Sequence, residues 1–201
     1  MNFKKRLSLN LFSKACRPTA GEIILAGDGS CINSGNYAGG WSYCVINSSG
    51  YYYLTSGNAL NTTNNRMELM AILTGLDKIQ EYERNRHRLF KKIIVVSDSG
   101  YVMFPFIKYN WINKFFKNEI STDTTNYDLW FQLIPLIVRM QDRLEFHHIR
   151  GHSNSPTCDN TSRGKDCLSC VSHGCENPLY HYLNAMVDIV SVNARLRLGK
   201  G

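Results

Sequence analysis

Four acidic side chains stand where acids are costly. Asp28 follows the apolar run Ile23 to Ala26, Asp98 follows Ile93 to Val96, and Glu68 and Asp188 lie on or beside apolar helical stripes. A carboxylate set against a core is unfavourable unless it is paired or bound to a metal. For Glu68 a second reading stands beside metal ligation, because a first-turn Glu also favours the helix dipole. Three more acids in comparable places tip the balance towards ligation. Widely separated in sequence, they make a poor general acid/base pair but a good cage for magnesium, which takes hard oxygen ligands. Two such ions about 4 Å apart can activate a water and stabilise a leaving oxygen in phosphodiester hydrolysis.

A second constellation is Cys158, Cys167, Cys170 and Cys175, set in a polar stretch at about 154–177. A loop well beyond ~15 residues with almost nothing apolar to bury needs a staple. Cys167 and Cys170 have the two-residue spacing of a zinc knuckle, and Cys158 with Cys175 can complete a four-thiolate structural site, with His173 as the alternative fourth ligand. Free thiols and two disulfides are the other readings.

The elements that must position these groups follow from patterning. Glu22 onward is a buried strand ending at Asp28, and Trp41–Ile46 and Tyr51–Leu54 are joined by the hairpin signal Asn47-Ser48-Ser49-Gly50. Thr63 or Asn64 caps a helix from about Asn64 to Tyr82, in which Met67, Met70, Ala71, Leu73 and Leu76 recur at helical spacing. Arg84, Arg86, Arg88, Lys91 and Lys92 read as a basic linker, and Ile93–Val96 as a central strand buried on both faces. That puts Asp98 at a strand's carboxyl end, where open α/β sheets place their ligands. Tyr101–Phe116 predicts one or two short helices interrupted near Pro105, and Asn126 to about Arg143 a long helix kinked at Pro135. Leu144–Ile149 alternates as a last strand, on which His147 and His148 read as structural; Leu179–Leu198 forms a closing helix with Leu183, Val187, Val190 and Ala194 on one stripe. The order predicts an α/β fold, a mixed sheet with helices packed on both faces.

The 201 residues suffice for one globular domain at 21–201, preceded by an extension at 1–20. Lys4, Lys5, Arg6, Lys14 and Arg17 contribute five of the net +7 charges before any acid occurs. This extension reads equally as a nucleic-acid-binding arm, a mitochondrial presequence or a solvated tail. No apolar run approaches the ~20 residues that cross a bilayer, and no secretory signal pattern is present, so no membrane association is expected. An intracellular, cytoplasmic monomer is the expectation, with mitochondria as the alternative raised by the basic start.

Asp28-Gly29-Ser30, Thr62 to Ala71, Ser97-Asp98-Ser99, Arg150-Gly151-His152 and Asn184 followed by Asp188 resemble, in order, the motifs of ribonuclease H of type 1. Asn64-Asn65-Arg66-Met67-Glu68-Leu69-Met70 is the most specific of them. The resemblance implies a five-stranded mixed sheet and endonucleolytic cleavage of the RNA strand of RNA/DNA hybrids with two Mg2+ or Mn2+ ions. It implies Asp28, Glu68, Asp98 and Asp188 as metal-holding catalytic acids, and His152 as an aid to proton transfer or product release. Gly29, Ser30, Asn64 and Asn65 would meet the hybrid's backbone and minor groove, where the 2′-hydroxyl marks RNA. Thr63 would meet a DNA phosphate, and Trp111 would pack on the DNA strand, although Trp111 also reads as a core aromatic. Where some members carry a basic substrate handle, Phe115 to Asp123 has little positive charge, which leaves the N-terminal arm to supply grip. A binding module of the same fold without turnover and a related nuclease of different substrate preference are the alternatives. Four mutually repelling carboxylates argue against the first, and Asn64 to Met70 with Arg150-Gly151-His152 against the second.

Overall fold

A computed structural model of the protein describes residues 1, 3–12, 14–32, 37–149 and 178–198. The strands are β1 Lys5–Arg6, β2 Glu22–Cys31, β3 Gly39–Asn47, β4 Tyr51–Ala59, β5 Lys92–Ser97 and β6 Leu144–His148, and they form one sheet in the order β1-β4-β3-β2-β5-β6. β2, β3 and β4 pair antiparallel, whereas β5 runs parallel to β2 and β6 parallel to β5. The helices are α1 Asn64–Arg86, α2 Gly100–Ile107, α3 Trp111–Phe116, α4 Tyr127–Met140 and α5 Pro178–Leu196.

The middles of β2 and β5, Ile23–Ala26 and Ile93–Val96, are apolar without interruption because both of their faces are covered. Ile23, Leu25, Ile93 and Val95 pack with Leu69, Ile72 and Leu76 of α1 and Leu133 and Ile137 of α4. Ile24, Ala26, Ile94 and Val96 point the other way, onto Leu179, Leu183 and Val187 of α5. Period-two alternation of side chains thus builds two cores from one run of sequence.

Several boundaries differ from the sequence reading. The sheet has six strands, not five; the extra one is the short edge pairing of Lys5 and Arg6 with Tyr52 and Tyr51, which covers part of an otherwise open edge. Strand β4 continues past Leu54 to Ala59, through Gly57, Asn58 and Ala59 of low strand propensity, because β3 pairs with it along its length and Gly57 leaves room for the Trp41 ring. Helix α1 runs to Arg86 rather than Tyr82, and His87 closes it with φ 50°. Its last turn is fixed by Glu83, 3% exposed, which accepts hydrogen bonds from the Phe90 N–H and from Arg143. The break between α2 and α3 falls after Ile107, with Asn110 at φ 51°, while Pro105 lies within α2. On the α5 stripe the deep positions are Leu183, Val187, Ser191 and Ala194, and Val190 is half-buried.

The described residues of the N-terminal extension lie on the body of the protein. Phe12 and Cys16, 2% and 1% exposed, join the core under α5, and the Phe12 ring sits 5.5 Å from Tyr182.

Candidate active site

Sheet register brings Asp28, inside β2, and Asp98, just past β5, to one place. Ala26 of β2 stands beside Val96 of parallel β5, so Asp28 and Asp98, each two residues further on, emerge at the same end of the sheet. Glu68 reaches that end from just past the first turn of α1, a helix that Thr63 caps by accepting from the Arg66 N–H at 3.3 Å. Gly29 permits the approach: a Cβ there would stand 2.2 Å from the Glu68 nitrogen. Asp188 comes from α5, which is pinned where the Ser42 hydroxyl donates to the Val187 carbonyl at 2.6 Å. Ser42 is the β3 partner of Asp28, so the fourth acid is set next to the first.

The electrostatics follow from that convergence. Asp28 is 7% exposed and accepts from the Gly29 N–H at 2.7 Å. Burial, then the charges of Asp98 and Asp188, pushes its carboxyl well above the usual range. Glu68 is raised to about 7, chiefly by burial and further by Asp98, against the opposing pull of hydrogen bonds from the Ser99 hydroxyl at 2.5 Å and the Asn64 amide at 2.7 Å. Asp98 accepts from the Asn184 amide at 3.2 Å, and its backbone carbonyl lies 3.1 Å from the His148 ring nitrogen. His181, one turn before Asn184 on α5, is lowered by burial and partly held up by Asp98.

Four carboxylates at one end of the sheet, Asp28 buried and the other three half-buried, are the donor set of a hard divalent cation such as Mg2+. The Oδ1 of Asn184, buried beside them without a hydrogen-bond partner among the described residues, fits the same requirement for a further polar group. Among the described residues, no group of three His, Cys, Asp or Glu side chains lies in a geometry that would hold an ion as placed. Glu68 and Asp98 are turned instead to Ser99, Asn64 and Asn184.

The other expected residues fall as follows. Gly29 is buried, with its Cα against the Met67–Glu68 backbone of α1. The Ser30 hydroxyl accepts from Arg195 at 2.7 Å. Thr63 is the helix cap, Asn64 spends its amide on Glu68, and Asn65 is exposed beside them. Trp111 opens α3, half-buried, with its ring 4.8 Å from Trp130. His152, Cys158, Cys167, Cys170, Cys175 and His173 lie outside the described residues. Ser99 and Arg195 escaped the sequence reading as contributors. Spacing held a signal for Arg195, since Asn184, Asp188, Ser191 and Arg195 recur at helical intervals and share a face of α5. Ser99 carried none beyond adjacency to Asp98.

The family model described as RNase H matches residues 20–165. The chain belongs to the RNase H family. Among relatives, the ribonuclease H of Syntrophomonas wolfei is 36% identical over 149 residues, covering 71% of this chain and 94% of the relative. That of Oleidesulfovibrio alaskensis is 33% identical over 150 residues, covering 71% of this chain and 89% of the relative. In fold, the chain resembles LC9-RNase H1, a type 1 RNase H with the type 2 active-site motif, with a TM-score of 0.59 at 16% identity over 90% of this chain and 74% of the other. It also resembles the RNase H domain of prototype foamy virus, with a TM-score of 0.57 at 16% identity over 87% and 94% of the two chains. The protein is thus an RNase H enzyme, a nuclease of a family that acts on RNA/DNA hybrids and generally uses divalent ions such as Mg2+.

Proposed function

We propose that this RNase H cuts the RNA strand of RNA/DNA hybrids endonucleolytically, with two Mg2+ ions, or Mn2+, held by Asp28, Glu68, Asp98 and Asp188. The observation that carries the reading is the convergence of four acids, from β2, β5, α1 and α5, on one end of the sheet. Bound there, the ions would activate water and neutralise charge on the leaving oxygen. The protein's own part is placement. Ser99 and Asn64 orient the Glu68 carboxylate, Asn184 orients Asp98, and burial keeps all of them ready to gain from a cation. Arg195 steadies Ser30, which with Gly29, Asn64 and Asn65 faces the hybrid's backbone and minor groove in this reading. Thr63 is assigned to a DNA phosphate, Trp111 to the DNA strand, and His152 to proton transfer or product release.

A gel assay with RNA/DNA, RNA/RNA and DNA/DNA duplexes, with and without Mg2+, tests the function. Cleavage confined to the RNA of the hybrid and dependent on the cation is expected; cutting of other duplexes would replace the reading. His152→Ala should slow turnover without abolishing it, because water can partly replace a proton carrier. On spacing alone, Cys158, Cys167, Cys170 and Cys175 are assigned a structural zinc, with His173 as a possible replacement ligand. Elemental analysis finding no zinc in chelator-free protein would end that assignment. The protein is read as a monomer, which sedimentation would check.

A further inference from the structure

The end of the molecule opposite the four acids is strongly basic, and two stretches remote in sequence build it. Phe3 of the N-terminal arm rests edge-on against Tyr82 of α1, with ring centroids 5.8 Å apart. This contact sets the start of the arm against the last turns of α1, which with the turn after it carry Arg84, Arg86, Arg88 and Lys91, while Lys4, Lys5 and Arg6 lead on from it to the β4 edge of the sheet. All seven are exposed, and none forms an ion pair among the described residues. The nearby acids are already engaged: Glu81 with Lys78 at 2.6 Å, Glu83 with Arg143, and Glu22 with the Thr19 N–H. Arg6 and Arg86 are held in place over the rings of Tyr51 and Tyr82, at 5.4 and 5.7 Å.

Register and helix length fix the separation. Lys5 stands beside Tyr52, Tyr52 beside Ile46 and Ile46 beside Ile24, four residues short of Asp28. From Glu68 to Arg86 the helix advances about 27 Å at about 1.5 Å per residue. That is roughly eight base-pair steps at about 3.4 Å each.

We infer that this basic pole is a second nucleic-acid contact, gripping the sugar-phosphate backbone of a duplex away from the cleavage site. The inference rests on the proposed function in taking the hybrid as partner, but its test does not need catalysis. The physical reason is that the acid-lined end repels the phosphates it must receive, so attraction has to be supplied elsewhere. Phosphate is favoured as the ligand because four of the seven cations are arginines, whose planar fork suits phosphate oxygens. No base edge is read there, so the contact is indifferent to sequence.

The test compares the full chain with two variants, Lys4→Gln/Lys5→Gln/Arg6→Gln and Arg84→Gln/Arg86→Gln/Arg88→Gln/Lys91→Gln, with an unchanged thermal midpoint as the folding control. Binding to a DNA duplex of about 30 base pairs, which the enzyme need not cut, is followed by anisotropy at several salt concentrations. For every phosphate that a variant no longer neutralises, the slope of log affinity against log salt should fall by about 0.9, and affinity near 0.1 M salt by about eightfold. Cleavage of a hybrid of about eight base pairs should keep its kcat, because these residues are remote from the reacting atoms. Unchanged slope and affinity in both variants would overturn the inference. So would loss of binding to vesicles of anionic lipid with duplex affinity intact, which would assign the pole to a membrane surface. Failure of the unsubstituted protein to cut any hybrid, with the slopes behaving as expected, would instead count against the proposed function alone.

Discussion

Replacing Gly29 by alanine should damage both stability and catalysis, for one geometric reason. The added methyl would lie 2.2 Å from the Glu68 nitrogen, 2.4 Å from the Met67 carbonyl carbon and 2.7 Å from the Met67 Cβ. The two nearest atoms are backbone, so no side-chain rotation relieves the overlap. The first turn of α1 must retreat from β2 by about 1 Å to restore an ordinary carbon contact. Overpacking of this kind costs about 1–3 kcal/mol. In a chain of this length each kcal/mol moves the thermal midpoint by about 2–4 °C. The same retreat carries Glu68 away from Asp28 and Asp98, and a displacement of about 1 Å in a reacting constellation lowers the rate about a hundredfold. Thermal unfolding and single-turnover cleavage at saturating hybrid and Mg2+ read the two effects separately. Gly100→Ala is the control: the atoms nearest its methyl would be those of the Phe104 ring, at 2.7 Å and beyond, and that side chain can swing aside. If Gly29→Ala unfolds within about 0.5 kcal/mol of the parent, the size of an ordinary surface substitution, the argument that this glycine sets the helix against the strand is wrong, whatever the activity.

Asp28→Asn should abolish hydrolysis by orders of magnitude and yet raise the unfolding free energy of metal-free protein by on the order of 1 kcal/mol, since it relieves burial and repulsion that push this carboxyl upward; a destabilised variant would refute that account. Glu68 holds its proton more tightly folded than unfolded, with its carboxyl raised from the ordinary 4.5 to about 7. Its contribution is therefore complete below about pH 4.5 and lost as pH rises through about 7, on the order of 3 kcal/mol in EDTA. Glu68→Gln should flatten that fall, and denaturation curves of the two proteins across the window decide it. Arg143→Met strands the buried Glu83 carboxylate and should cost about 3–5 kcal/mol. Adding Glu83→Gln should recover much of the loss, and failure to do so would show that the Arg143 stem, not its charge, is what matters.

What the sequence determines by itself here is periodicity and the cost of misplaced charge. Continuous apolar runs announced β2 and β5 as strands buried on both faces, and a capping threonine ahead of a 3.6-residue stripe announced α1, because both signals are local and follow from side-chain geometry. The acids stood out because carboxylates beside such runs are unfavourable without a compensating partner. Boundaries were not legible where a distant residue decides them. Arg143 and the Phe90 N–H hold the last turn of α1 through Glu83, and β3 carries β4 past Leu54 to Ala59. The proximity of Asp28 to Asp98 depends on parallel pairing of strands about 70 residues apart. The Ser99 and Arg195 contacts, the enclosure of Gly29 and the meeting of the N-terminal arm with the end of α1 likewise exist only once the chain is packed. Sequence fixes which side chains want partners, while tertiary packing chooses the partners, because the choice rests on distances that no local pattern encodes.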